Sequence, residues 1–244
     1  ISHLHGDHIF GLPGLLSTLS LLGRTTDLNI YAHKEIDFLL NPLLTYLGKH
    51  MSFKINIFPL NPNAGELLYE NKTIKVSSFP LKHRIDANGF LFEKKESPRH
   101  IIREMIDFYH IPVRRIQEIK NGADYLTPEG ALILNEHLTC PGNPARSYAY
   151  CSDTAYAPEI IPHIKNVDLL YHEATFAESE LVRAEETFHS TARQAAEIAV
   201  AAGVKKLIIG HYSSRYSEIG SLLKEALAVF PHTELAVEGK TVSL

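Results

Sequence analysis

The chain has 244 residues and a net charge of −4, and 45% of its residues are hydrophobic. This share of apolar side chains is typical of a globular domain with a buried core, which excludes disordered and fibrous classes. No apolar run approaches the roughly 20 residues that span a bilayer, and no signal peptide opens the chain. We therefore expect a soluble, cytoplasmic protein without a membrane partner.

Short apolar segments alternate with helical patterns along the chain. The predicted strands cover residues 28–32, 55–60, 73–81, 90–93, 147–151, 167–171, 206–209 and 235–237. The predicted helices cover residues 13–22, 35–47, 99–109, 113–120, 191–202 and 218–229. Because strands and helices interleave, we expect a single layered α/β domain over residues 1–244. Several proline and glycine turn signals predict a protruding arm at about residues 94–146.

A dense group of ligand-type residues stands at the start of the chain. His3, His5, Asp7 and His8 form the pattern His-x-His-x-Asp-His. If residues 1–5 end a strand, His3 and His5 lie on one face and can share a metal ion. The glycine that follows permits a sharp turn, which redirects Asp7 and His8 toward a second ion. Since no strand precedes this pattern, we expect that N-terminal strands of the domain are missing from the chain.

Three further ligand candidates, His83, Asp153 and His211, each follow a predicted strand. Layered α/β folds place their sites at strand ends, so these side chains complete the N-terminal group. A carboxylate such as that of Asp153 can bridge two metal ions, which an imidazole cannot do. The two cysteines, Cys140 and Cys151, form no Cys-x-x-Cys pair. The sequence therefore predicts a metal site built from imidazole and carboxylate groups.

These motifs resemble those of the metallo-β-lactamase superfamily of hydrolases and, within it, the ribonuclease Z family. The resemblance covers essentially the whole chain. It is carried by SHLHGDHIFGLPGLL (2–16), LKHRIDANGF (81–90), YCSDT (150–154), HEATF (172–176), FHSTA (188–192) and GHYSSRY (210–216). The resemblance implies a four-layer αβ/βα sandwich of the metallo-β-lactamase type. It also implies a zinc-dependent endoribonuclease that removes the 3′ trailer from precursor tRNA and leaves a 3′-hydroxyl on the tRNA.

The resemblance further implies two Zn²⁺ ions per subunit, a metal that imidazole and carboxylate ligands suit. One ion is assigned to His3, His5, His83 and Asp153. The other is assigned to Asp7, His8, His211 and the same Asp153. Asp7 is expected to accept the proton of the attacking water.

A separate group must protonate the departing ribose oxygen, and the resemblance assigns this role to His189. Glu173 would fix the tautomer of that ring and keep it charged. His189 also precedes a capping-box signature at residues 191–194, so we expect it at a helix entrance that favours anions. The alternative interpretation is a buried polar pair that joins two loops. Structural roles are expected for His33, His50, His100, His110, His137, His163, His172 and His232.

Seven basic and four acidic side chains give residues 94–120 a net charge of +3, against the negative charge of the whole chain. This segment falls where the family carries the flexible arm that grips the tRNA body, although the family's Gly-Pro pair is absent here. The expected RNA contacts are Arg114, Arg115, Lys120 and Arg215. The alternative to RNA binding by the arm is that its basic side chains simply form a solvated helix face. Arg215 and Tyr216 could likewise cap the loop after His211 instead of contacting RNA. The resemblance also implies a homodimer.

Two other functions remain open at this point. The first is a small-molecule hydrolase of the same fold, such as a phosphodiesterase or an arylsulfatase-like enzyme, which would use the same two metal ions. The second is a metal-free scaffold that binds RNA or a protein partner. Activity on a chromogenic phosphodiester but not on a precursor tRNA would favour the small-molecule hydrolase over the nuclease. Metal analysis of the purified protein would distinguish the metal-free scaffold from both enzymes.

Overall fold

A computed structural model describes residues 1–47 and 51–243 of the chain. The prediction for His50 therefore lies outside the described residues. The chain divides into two compact units. The main unit comprises Ile1–Glu70, Lys75–Phe92 and Ser147–Leu244, and the insert unit comprises Asn71–Ile74 and Glu93–Arg146. No helix in the described ranges is long and apolar enough to cross a membrane.

The secondary structure alternates between strands and helices. The strands are β1 Leu28–Ala32, β2 Ile55–Pro59, β3 Glu66–Glu70, β4 Ile74–Leu81, β5 Ala87–Lys94, β6 His100–Ile101, β7 Tyr125–Leu126, β8 Leu132–Ile133, β9 Thr139–Cys140, β10 Arg146–Cys151, β11 Leu169–Glu173, β12 Lys206–Gly210 and β13 Thr233–Leu235. The helices are α1 Gly6–Ile9, α2 Leu12–Leu21, α3 Ile36–Leu47, α4 Arg103–Phe108, α5 Val113–Lys120, α6 Asn135–Leu138, α7 Leu181–Thr187, α8 Ala192–Ala202 and α9 Gly220–Val229. Two 3₁₀ turns lie at Pro158–His163 and Glu178–Glu180.

A seven-stranded sheet forms the centre of the main unit, in the order β13-β12-β11-β10-β5-β4-β3. Strands β10 to β13 pair in parallel, and β3 pairs with β4 in antiparallel. Most of β11 and β12 is buried, which explains why their sequences read as nearly continuous apolar runs. Since β10, β11 and β12 run in the same direction, the residues that follow them meet at one edge of the sheet.

Helix α8 packs against β11 and β12 through small side chains. Ala195, Ala196 and Ala199 are fully buried, so the helix backbone can approach the sheet closely. Thr191 accepts a hydrogen bond from the Gln194 N–H, and the Gln194 side chain accepts one from the Thr191 N–H. The predicted capping box is thus confirmed, and it fixes where the helix begins.

A second, two-stranded sheet pairs β1 with β2 in parallel. Its core contains Ile30 and Ala32 from β1, Leu16 from α2, and Ile36 and Leu40 from α3. The leucine spacing of α2 predicts a core-facing stripe, but only Leu16 of this helix is fully buried in the structure.

The insert unit has a hydrophobic core of its own, formed by Ile111, Ile119, Tyr125 and Leu138. Its strands form two short antiparallel pairs, β6 with β9 and β7 with β8. The Asn135 side chain donates hydrogen bonds to the carbonyl groups of Ile119 and Ala123, which ties α5 to α6 within this unit.

Several predicted elements differ from the structure. Residues 1–5 form no strand in the described part of the chain, so the condition that they end a strand is not met. Pairing of β6 with β9 occupies residues 100–101, and the helix predicted from residue 99 therefore begins at Arg103. The last strand, predicted at 235–237, ends at Leu235 because it pairs with β12 through residues 233–235. Strand β3 was not predicted, since its largely exposed residues lack a clear apolar alternation.

Candidate metal centre and catalytic site

Residues from four separate parts of the main unit converge at the edge of the large sheet. His3 and His5 lie just before α1, Asp7 and His8 lie within it, and His83 follows β4. Asp153 and His211 follow the parallel strands β10 and β12. Their potential ligand atoms form two groups, each with all atoms within 4.8 Å of one another: His3, His5, His83 and Asp153 in the first, and Asp7, His8 and His211 in the second. Asp153 and His211 also form a third group of this kind with His189.

The first group has the spacing of ligand atoms around one ion. His3 Nε2 lies 3.6 Å and His83 Nε2 4.0 Å from Asp153 Oδ2. His83 Nε2 is 3.3 Å from His5 Nδ1. Two atoms that each lie about 2.1 Å from one zinc ion at a tetrahedral angle are about 3.4 Å apart. The observed separations therefore fit a single ion of this size.

The second group shows similar separations and also faces Asp153. His211 Nε2 lies 3.4 Å from Asp153 Oδ2, and His8 Nε2 lies 3.5 Å from Asp153 Oδ1. His8 Nε2 is also 3.5 Å from Asp7 Oδ2. Asp153 is the carboxylate that lies close to both groups, as a bridging ligand requires. Asp7 is much more exposed than Asp153, with 71% of its side-chain surface accessible.

Electrostatics at the site favour bare imidazole nitrogens and an ionised carboxylate. Burial lowers the pKa of His3 to about 3, so the ring is neutral at physiological pH. Its Nε2 atom is buried and has no hydrogen-bond partner in the described residues. Burial alone would raise the pKa of Asp153, but His211, His3 and His8 together hold it below its usual value. A neutral ring with an unpaired buried nitrogen beside a carboxylate is an arrangement that a metal cation satisfies.

Three of the candidate ligands have their other ring nitrogen occupied. His3 Nδ1 lies 3.1 Å from the Ser2 hydroxyl, and His83 Nδ1 lies 2.9 Å from the Phe188 carbonyl oxygen. His211 Nδ1 lies 2.8 Å from the Thr175 hydroxyl. Since a carbonyl can only accept, His83 is protonated on Nδ1 and presents a bare Nε2. Such partners orient metal-binding rings and fix their tautomers.

A second functional pair lies beside these ligands. The Glu173 carboxylate, at the end of β11, is fully buried and accepts a 2.7 Å hydrogen bond from His189 Nδ1. Burial alone would lower the pKa of His189, but Glu173 raises it above its usual value. His189 immediately precedes the entrance of α8, and its ring lies 5.2 Å from that of His83 and 5.3 Å from that of His211, measured between centroids. The pair can therefore hold a proton next to the candidate ligands.

Two non-glycine residues at the site adopt left-handed backbone conformations. Phe188 has φ 59° and His211 has φ 61°. This conformation is unfavourable for residues with a Cβ atom, and such strain is concentrated at functional sites. The left-handed conformation of Phe188 ends α7, and the Phe188 carbonyl oxygen accepts a hydrogen bond from His83. Sequence reasoning missed Ser2, Phe188 and Thr175, because their roles depend on proximity in the fold rather than on spacing.

The remaining described histidines lie outside both ligand groups in the described part of the chain. His172 is fully buried, and its Nδ1 donates to the Glu173 carbonyl oxygen. His33 is also buried, whereas the His163 ring stacks on Phe79. The structural roles expected for these three histidines stay predictions.

The predicted RNA-contacting residues lie in both units. Arg114, Arg115 and Lys120 are on α5 of the insert unit, where Arg115 forms an ion pair with Glu118. Arg215 lies in the loop after β12 of the main unit, with its guanidinium 5.4 Å from the centre of the Phe176 ring. Arg215 also pairs with Glu180, and the neighbouring Tyr216 hydroxyl accepts from the Ala177 N–H. Both side chains therefore hold this loop in place.

Two known proteins share more than half of their aligned residues with this chain over its full length. The chain is 53% identical to a ribonuclease Z of Bacteroides fragilis over 244 residues, which covers all of this chain and 80% of that protein. It is 55% identical to a ribonuclease Z of Parabacteroides distasonis, with the same coverage. The chain belongs to the ribonuclease Z family. Membership in the ribonuclease Z family identifies it as a hydrolase of the endoribonuclease class.

Solved structures confirm the predicted fold. The human tRNase Z, short form, superposes with a TM-score of 0.64 at 23% identity, covering all of this chain and 77% of the human one. The metallo-β-lactamase fold protein YhfI from Bacillus subtilis has a TM-score of 0.63 at 20% identity, covering 98% of this chain and 74% of that one. Residues 138–212 also match the beta-lactamase superfamily domain. This ribonuclease Z family member therefore has the α/β fold of the metallo-β-lactamases, in which divalent metal binding is expected.

Proposed function

We propose that the chain is a zinc-dependent endoribonuclease that removes the 3′ trailer from precursor tRNA and leaves a 3′-hydroxyl on the tRNA. The observation that carries this proposal is Asp153, which lies within 3.4–3.6 Å of ligand nitrogens in both groups while the Glu173–His189 pair lies beside them. The names of the family relatives and of the human structure support the tRNA substrate. Two Zn²⁺ ions per subunit fit the ligand set of five imidazoles and two carboxylates.

The proposed ligands divide between the two ions as the two groups do. One ion would be held by His3, His5, His83 and Asp153, and the other by Asp7, His8, His211 and Asp153. When bound, such a metal pair lowers the pKa of a water molecule and stabilises negative charge on the attacked phosphate.

Asp7 and His189 divide the proton transfers between them in this proposal. Asp7 has an exposed carboxylate beside the second group, so it can accept the proton of the attacking water. His189 carries a proton that Glu173 stabilises, and it can give that proton to the departing ribose oxygen. Because Glu173 holds Nδ1 of this ring, the proton that is transferred is the one on Nε2. A general acid of this kind must be charged before the reaction, which the raised pKa of His189 favours.

Contacts with the tRNA body are proposed for the insert unit. We assign phosphate contacts to Arg114, Arg115 and Lys120 on α5 of the insert unit, and a further RNA contact to Arg215 in the main unit. The insert unit would serve as the arm of a single metallo-β-lactamase-type domain. A homodimer, which the family resemblance implies, and a cytoplasmic location, which a tRNA-processing role in bacteria implies, complete the proposal.

The test compares two substrates on the same zinc-loaded preparation. A precursor tRNA with a 3′ trailer is expected to be cut once, to a tRNA that ends in a 3′-hydroxyl, and chelation is expected to stop the reaction. A chromogenic phosphodiester serves as the small substrate. Hydrolysis of the ester without cleavage of the precursor would overturn the nuclease proposal in favour of a small-molecule phosphodiesterase or an arylsulfatase-like hydrolase.

A further inference from the structure

The Thr175 hydroxyl lies between a candidate metal ligand and the candidate proton donor. Thr175 follows β11 by two residues, and only 6% of its surface is exposed. Its Oγ1 atom is 2.6 Å from Glu173 Oε2, 2.8 Å from His211 Nδ1 and 3.4 Å from His189 Nδ1. No part of the sequence-based function uses this side chain.

The direction of these hydrogen bonds follows from Glu173. Its carboxylate also accepts from the backbone N–H groups of Thr154 and Thr175 and from His189 Nδ1. Because three N–H donors already point at its two oxygens, this carboxylate acts as an acceptor, so the single hydroxyl hydrogen of Thr175 points to it. The Thr175 oxygen must therefore accept from the Nδ1–H of His211.

This assignment fixes the tautomer of His211. With the hydrogen on Nδ1, the Nε2 atom is bare, and it lies 3.4 Å from Asp153 Oδ2 within the ligand group. The backbone adds to the same restraint, because Ala174 donates to the Gly210 carbonyl and Ser213 donates to the Thr175 carbonyl. His211 is held in its left-handed conformation between these two bonds. The Thr175 hydroxyl thus orients the ring of His211, a residue whose backbone is already constrained.

We propose that Thr175 is a positioning residue that couples the ligand His211 to the Glu173–His189 pair. One hydroxyl fixes the ligand tautomer and supplies one of the four hydrogen bonds that hold the Glu173 carboxylate. The two functions of the site, metal binding and proton donation, thereby share a single side chain. This inference rests on the proposed function, which assigns His211 to a metal ion and His189 to the leaving group.

The decisive variants are Thr175→Val, which keeps the shape but removes the hydroxyl, and Thr175→Ser, which keeps the hydroxyl. Thr233→Val is the matched control, because Thr233 is equally buried and its hydroxyl bonds the Phe230 carbonyl oxygen away from the ligand groups. Thermal unfolding checks that each variant is folded. If Thr175→Val does not fold, Thr175→Ala takes its place, since alanine also lacks the hydroxyl and is smaller than threonine.

The first measurement is made on metal-free protein, by ¹⁵N NMR of the His211 ring at a pH where it is neutral. Wild type, Thr175→Ser and the control are expected to show Nδ1 protonated, whereas Thr175→Val is expected to show a mixture of tautomers. The second measurement is zinc affinity by chelator competition. The valine variant should lose about 10- to 100-fold in affinity, the usual effect of losing a hydrogen bond to a ligand, and the serine variant should recover most of it.

Cleavage of precursor tRNA supplies the third measurement. Thr175→Val is expected to lower kcat by at least the same factor with little change in KM, since Thr175 contacts no substrate in this proposal. An unchanged tautomer and unchanged zinc affinity in a folded Thr175→Val would overturn the inference while leaving the proposed function intact. If wild type itself bound no metal and cut no precursor, the proposed function would fail, and the tautomer measurement would still report on the hydrogen bond.

Discussion

A single substitution of His189 can distinguish a role in proton donation from a role in metal binding. In His189→Ala the proton held by Glu173 is lost, and we expect kcat for precursor cleavage to fall by about 10²- to 10⁴-fold. The zinc content should stay unchanged, because the proposed ligands are all retained. Single-turnover cleavage and metal analysis on the same preparation check this, with His137→Ala on α6 as an exposed control. Loss of one zinc equivalent would instead make His189 a ligand, together with Asp153 and His211.

Asp168 predicts a pH dependence of stability away from the metal centre. Its carboxylate accepts hydrogen bonds from the Ser147 N–H and hydroxyl and from Lys205 Nζ. Burial alone would raise the pKa of Asp168, but these bonds hold it below its usual value. A depressed pKa stabilises the fold above the unfolded pKa of about 3.9, and this contribution is lost as pH falls through the lower folded value.

The corresponding test is Asp168→Asn. At neutral pH the substitution is expected to lower the free energy of unfolding by about 1 kcal/mol, since an amide replaces an ionised acceptor. Urea unfolding across a pH series is the measurement, and the difference from wild type should shrink below about pH 4. A difference that stays constant into acid would show that the carboxylate charge is not its source.

At the scale of elements, α8 fixes the entrance at which His189 lies. The Thr191 side chain caps the helix and also donates a hydrogen bond to Glu178 Oε2. Thr191→Ala removes both bonds, and we expect a loss of about 1 kcal/mol in the free energy of unfolding, whereas Thr191→Ser should retain most of the stability. Denaturant titration checks this, and an unchanged midpoint for the alanine variant would contradict the role of the cap.

How far elements could be predicted depends on whether their signals are local. Helix α8 was predicted within one residue, because its capping box and its C-terminal glycine act within the helix itself. Strand β1 was also predicted with its observed bounds, from a short run of apolar and aromatic residues. For residues 1–5 local signals were not sufficient, since a strand forms only where a pairing partner from elsewhere in the chain is present. The same reason explains β6, which depends on β9 some 40 residues later.

At the scale of the whole molecule, a net charge of −4 and an RNA substrate require that phosphate contacts be confined to particular surfaces. The triple variant Arg114→Gln, Arg115→Gln, Lys120→Gln removes three positive charges from α5. We expect KM for precursor tRNA to rise about 10-fold and its salt dependence to weaken by about one unit of slope per lost phosphate contact.

The small chromogenic phosphodiester provides the control for this variant, since it lacks the tRNA body that α5 is proposed to contact. Its kcat/KM should equal that of wild type, which would also show that the site is intact. If the triple variant bound and cut the precursor as wild type does, at all salt concentrations, α5 would have no part in holding the substrate.

The residues proposed as ligands were recognised from the sequence because their type and spacing are unusual in themselves. His3, His5, Asp7 and His8 lie within six residues, and Asp153 and His211 follow strands whose parallel pairing brings them together. Their hydrogen-bond partners could not be recognised in this way. Phe188 lies 105 residues from His83 in the chain, and Thr175 lies 36 from His211. A serine, phenylalanine or threonine carries no chemical signal of such a role until the fold is known.

Asp153 is proposed to bind both metal ions, and the number of zinc ions bound per chain tests this proposal. Zinc bound to purified wild type and to Asp153→Ala would be counted after removal of excess metal, with Asp168→Asn as the control. We predict two zinc ions per chain in wild type and in the control, and none in Asp153→Ala, with circular dichroism confirming that all three are folded. Two zinc ions retained by a folded Asp153→Ala, or none bound by wild type, would show that Asp153 does not bridge two ions.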